Sequence, residues 1–159
     1  MSILAVVTEA DDIGPLLTWG HRLSTAHKMD FHLIHYQLNP KESKLEPISW
    51  DTEAKDDEIT EKIREAARSK EPQPIFQRLR HPKPELAILK LLGDFDSKLL
   101  LLGLHSKEKS ADSQWKAAVQ DKAPCDIMIL RAAAESGARC DRVLIPISGG
   151  PHCRVALRW

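Results

Sequence analysis

Apolar residues fall along this chain in short runs separated by longer stretches with helical spacing. Ile3 to Val7 is apolar at every position. After it, Ile13, Leu16, Leu17, Gly20, Leu23 and Ser24 recur at the three- and four-residue intervals that place side chains on one helical stripe. Phe31 to Gln37 reads as a second strand, followed by a polar loop with Pro40 and Pro47. A second helix is expected over Thr52 to Ser69, with Ile59, Ile63, Ala66 and Ala67 on its buried face. Its acids come early and its bases late, which complements the helix dipole. Pro72 and Pro74 end it, and Ile75 to Leu79 forms the third strand.

A helix begins near Pro82 and Pro84, with Ile88, Leu91, Leu92 and Phe95 as its stripe. Lys98 to Leu102 is the fourth strand, closed by Gly103. The fourth helix carries Trp115, Ala118, Val119 and Lys122 on one face, and Ile127 to Leu130 is the fifth strand. Strands that alternate with helices imply parallel pairing through right-handed crossovers. The first, fourth and fifth strands are almost wholly apolar, as strands buried on both faces must be. The expected fold is therefore α/β: a three-layer α/β/α sandwich around a five-stranded parallel sheet. A ligand would bind at the carboxyl ends of the strands, where the strand order reverses.

Residues 132–138 form a small-residue linker, and Arg142 to Ile147 a further strand-like run. At an offset of 140 residues this run repeats the N-terminus: Ile3-Leu4 meets Val143-Leu144, Thr8 meets Ser148, and Trp19 meets Trp159. The expected organisation is a domain over 1–131, a linker over 132–141 and, over 142–159, the incomplete start of a second copy.

The chain of 159 residues holds 23 basic and 23 acidic side chains, a balance that gives no footprint for nucleic acid. Its longest unbroken apolar run is Leu99 to Leu102, too short for membrane insertion. Three widely spaced cysteines, Cys125, Cys140 and Cys153, form no zinc-type pair and suit a reducing, cytoplasmic setting. His32 and His35 are three apart on a strand, so they point to opposite faces and no shared metal is expected. Asp11 and Asp12 follow the first strand and could approach a ligand there, although Asp12 also reads as the N-cap of the first helix. No general base or metal cluster can be placed, so no enzymatic activity is expected; a weak nucleotide hydrolase is the alternative.

Leu99-Leu100-Leu101-Leu102-Gly103-Leu104-His105-Ser106 and the later Ala123-Pro124-Cys125-Asp126 resemble the universal stress protein (UspA-like) family, which has a Gly-x-His-Gly loop and an Ala-Pro-Cys-Pro-type turn at these places. The resemblance covers about residues 2–131. It implies the adenine-nucleotide alpha hydrolase-like (Rossmann-like) strand order 3-2-1-4-5.

ATP-binding members of that family carry Gly-x-x-Gly, nine residues, then Gly and a hydroxyl residue. Glycines there let backbone N–H groups approach phosphate oxygens. Here Gly103 matches the first glycine, Ser106 replaces the second, and Ser113-Gln114 stand at the final pair, with the intervening stretch shortened to six residues. The family's aspartate after the first strand is Thr8, and the residue beside the adenine is Tyr36.

By resemblance, the nucleotide-binding set is Thr8, Tyr36, Gly103, His105, Ser106, Ser113 and Gln114, holding ATP or AMP if the domain is a sensor. The first expectation is instead a regulatory or interaction domain with degenerate or no ATP binding and no certain cofactor. The resemblance further implies pairing as a homodimer, or with a second copy, through Ile127, Ile129 and Arg131. It also implies a tandem arrangement and a possible parent in a membrane transporter's cytosolic end.

Overall fold

A computed structural model of the protein describes residues 1–37, 43–47, 58–104 and 110–131. The linker at 132–141, the second copy at 142–159 and the start of the second helix at 52–57 lie outside the described residues.

The elements run β1 (Ser2–Val7), a 3-10 turn (Ala10–Asp12), α1 (Ile13–His27), β2 (Asp30–Gln37), β3 (Lys44–Pro47), α2 (Glu58–Ala67), β4 (Ile75–Arg80), α3 (Pro84–Asp94), β5 (Ser97–Leu104), α4 (Ser110–Lys122) and β6 (Asp126–Arg131). The sheet has the order β3-β4-β2-β1-β5-β6. Strands β4, β2, β1, β5 and β6 are parallel to one another and stand in the expected order 3-2-1-4-5.

The expectation of five strands is corrected to six. Lys44–Pro47 pairs antiparallel with β4. It lies at the sheet edge, where a proline needs no ladder partner and charged residues discourage further pairing. With only Leu45 alternating between polar neighbours, its sequence carries no strand period.

Strand alternation divides the core. Ile3, Ala5, Val7, Leu99 and Leu101 pack with Ile13, Leu16 and Leu17 of α1 and Ile63 and Ala67 of α2. Leu4, Val6, Leu100 and Leu102 face the other way, against Ile88, Leu91 and Leu92 of α3 and Trp115 and Val119 of α4. Each such aliphatic side chain contributes about 1.5–3 kcal/mol on burial, which makes the doubly covered central strands the stable part of the sheet.

The predicted stripe of α1 is the one it buries. In α4 the burial differs. Trp115, Lys116 and Val119 are buried, whereas Lys122 is exposed. Gly20 sits where α1 crosses the Phe31 ring so closely that a Cβ would overlap it. Gly103 also changes place, because β5 continues two residues past Leu102 and pairs Gly103 with Leu130.

The chain leaves β1 outward through β2 and β4, then returns to the other side of β1 as β5 and β6. Strand order therefore reverses between β1 and β5. The crevice outside their carboxyl ends is where a fold of this kind offers a ligand site.

Candidate functional site

Two walls define the crevice. The first is the turn from β1 into α1. Thr8 follows the strand, and its backbone N–H and hydroxyl each donate to Asp12 Oδ2 at 3.2 Å. The Glu9 N–H donates to the same oxygen at 3.3 Å. Asp12 does not cap α1 through its side chain, as the sequence suggested. It reaches back instead across the intervening 3-10 turn and satisfies the donors that β1 leaves behind. Although charged in type, Asp12 is only 3% exposed.

The second wall is the end of β5. Gly103 is buried there, and a Cβ on it would overlap the Asp12 carboxylate. This gives the glycine a physical reason that its sequence context did not supply: it makes room for an internal carboxylate. From the opposite side, the Lys116 ammonium of α4 donates to the Gly103 carbonyl at 2.7 Å. Lys116 is itself buried, and its Nζ lies 5.6 Å from the centroid of the Trp115 ring. Beside this contact, between β5, β6 and α4, is a shallow depression of about 120 Å³ lined by Leu102, Gly103, Lys116 and Ile129 among others. Pockets that hold drug-sized ligands run to roughly 300–1,000 Å³.

Of the residues expected at a nucleotide, the structure brings Thr8 and Gly103 to the crevice. Tyr36 does not line it as an open platform. It is 1% exposed, packs in the core on the α3 and α4 side, and donates its hydroxyl to the His81 carbonyl. Burial pushes its pKa up to about 12, with the negative charge of Glu85 adding to the effect. Gln114 is exposed on α4. Ser113 falls within α4. His105 and Ser106 lie outside the described residues. Ile127 and Ile129 are on β6, the last strand of the described sheet, which Arg131 ends; Ile129 is 46% exposed.

The two histidines of β2 do separate by face. His35 Nδ1 meets the Thr60 hydroxyl of α2 at 3.1 Å. His32 stacks on Phe95 with ring centroids 4.2 Å apart, and burial lowers its pKa. Cys125 is half-buried, and desolvation followed by the neighbouring Asp126 charge raises its thiol to about 11, which leaves it a poor nucleophile at neutral pH. Among the described residues no cluster of three His, Cys, Asp or Glu side chains could hold a metal. No helix of the described residues is long and apolar enough to cross a membrane.

Sequence reasoning gave Asp12 as a helix cap near enough to the first strand to approach a ligand, and it missed Lys116 altogether. An acid five residues beyond the end of an apolar strand, opposite a glycine at the end of the neighbouring strand, is the signal that points to Asp12. Lys116 gives no such signal, because its burial depends on how α4 rolls onto β5.

No family model matches the chain, and no curated protein does. Solved structures are similar to it. A universal stress protein in complex with cAMP superposes with a TM-score of 0.53 at 12% identity, over 83% of this chain and 98% of its own. A universal stress protein from Archaeoglobus fulgidus gives a TM-score of 0.55 at 14% identity, over 81% and 97% respectively. The chain has the universal stress protein fold. In that fold the crevice between β1 and β5 of this protein lies at the reversal of strand order, and here the Asp12 carboxylate packs against Gly103 beside it.

Proposed function

We propose that this is a universal-stress-protein-like regulatory domain that acts through association with other proteins and does not depend on bound ATP. One observation carries the reading: the Asp12 carboxylate is buried on Gly103 and takes the hydrogen bonds of Thr8 and Glu9. The donors that could receive a phosphate are already used by an internal anion. Two unit charges 4 Å apart at the effective dielectric of a protein surface repel by about 4 kcal/mol, so a triphosphate entering beside Asp12 meets a barrier of that order. The loss of the second glycine at Ser106 works in the same direction.

Association fits the edge of the sheet. The exposed Ile129 and the end strand β6 offer backbone and apolar surface for a second copy of the domain. The reading includes a cytoplasmic, non-enzymatic role, in a tandem or transporter-linked parent if residues 142–159 begin a second copy.

Calorimetric titration of the domain with Mg-ATP and with AMP tests the central point. No saturable heat is expected up to about 1 mM ligand, whereas a dissociation constant of about 10 μM or tighter contradicts the proposal. A second reading, an adenine-nucleotide sensor, is favoured by the cAMP held by one protein of the same fold. The same titration decides between them.

A further inference from the structure

The sheet ends in two unlike strands. β3 has four residues, Lys44 to Pro47, and pairs with β4 alone among the described strands. Successive N–H groups of a strand point to opposite sides, so a strand of four residues shows at most two of them outward. Pro47 has no N–H to show, and Lys44 is exposed. Another strand laid beside β3 would gain a short ladder and would have to strip water from the ammonium. At the other end, β6 has six residues, and those from Ile127 to Leu130 are all apolar. It holds no proline and no lysine. Ile129 is exposed, and the exposed Leu104 of β5 lines the same depression. β3 is also the strand that the alternation of strands and helices does not call for. It stands in the connection between β2 and α2, and it is antiparallel where the other pairings are parallel.

We propose that β3 is a guard: it blocks strand addition at its end of the sheet, so that copies of this domain join only through β6 and the assembly closes at two. The inference rests on the proposed association through β6, and it adds what limits that association. Every copy carries both edges. Were β6 of one copy able to add to β3 of the next, the contact would run head to tail. Each added copy would then present a fresh edge, and the sheet would grow without closing. A contact between β6 and β6 of a second copy consumes both open edges together and leaves only guarded ones outside. Leu45 is the one residue of β3 that could bury apolar surface, and a guard needs no more.

The test is the mass of the full chain under reducing conditions, read by light scattering over a concentration series. It compares wild type, the double variant Lys44→Thr with Pro47→Thr, and that double variant with Ile129→Asp added. Threonine suits an edge strand, restores the N–H and removes the charge. Wild type is expected to reach two chains and stop. The double variant should pass two chains and keep rising with concentration. Adding Ile129→Asp, which puts a charge on β6, should bring it back to two. Lys44→Thr alone serves where the double variant does not fold, with a smaller rise expected. A folded guard variant whose mass follows wild type at every concentration overturns the proposal, and so does a wild type that itself grows beyond two chains. A wild type that stays a single chain throughout contradicts instead the association reading. The guard is then decided by the double variant: a gain of dimer supports it, and a single chain overturns it.

Discussion

At the scale of single residues, the structure turns on close approaches that leave no spare room. Gly103 is the sharpest case. A methyl group there would overlap the Asp12 carboxylate, so Gly103→Ala must push the β1–α1 turn away from β5. The expected cost is about 1–3 kcal/mol, the usual range for overpacking, measured as a lower urea midpoint with an unchanged slope.

His32 makes a different prediction. Burial against Phe95 lowers its folded pKa below the ordinary value of 6.5. Above that value both the folded and the unfolded chain hold it neutral, and it adds no pH dependence. As the pH falls below 6.5 the unfolded chain binds the proton first, and stability is lost until the lowered folded pKa is reached. Urea unfolding of wild type between pH 7 and pH 5 should show this decline. His32→Phe, which keeps a ring on Phe95, should flatten it; an unchanged slope would remove His32 from the account.

At the scale of elements, the helices were legible where their apolar stripes were unbroken. The stripe of α1 contains six residues, Ile13 through Ser24, and all of them are buried. The period fails in α4, whose sequence puts a lysine beside the buried tryptophan. Lys116 enters the interior because the Gly103 carbonyl at the end of β5 accepts from it, a tertiary contact that no local pattern encodes. The short β3 was illegible for a related reason: its pairing is decided by β4, not by its own residues. Lys116→Met keeps the apolar stem and removes the donor. It should cost about 1–3 kcal/mol by taking a charged donor away from a buried carbonyl, read from chemical unfolding. Hydrogen exchange would locate the loss: faster exchange at the end of β5 and in α4 is expected, with β2 and β4 unaffected.

At the scale of the whole molecule, alternating strands and helices were enough to give the layers, the parallel pairing and the position of the crevice. Val6 pairs with Leu102 on one side and with Ile34 on the other, and that placement follows from strands apolar on both faces. What occupies the crevice was not legible, because Asp12 also fits a helix cap by sequence, and only the folded backbone decides which donors it meets. The fold sets the Asp12 carboxylate against Gly103 at the reversal of strand order, and the proposed role in association rests on that contact.

The most direct measurement is a crystal structure of the wild-type domain soaked in millimolar Mg-ATP. The account predicts Asp12 Oδ2 still bonded to Thr8 and Glu9, its carboxylate on Gly103, and no nucleotide between β1 and β5. Ordered phosphates in that space, with Asp12 swung out of it, would contradict the account.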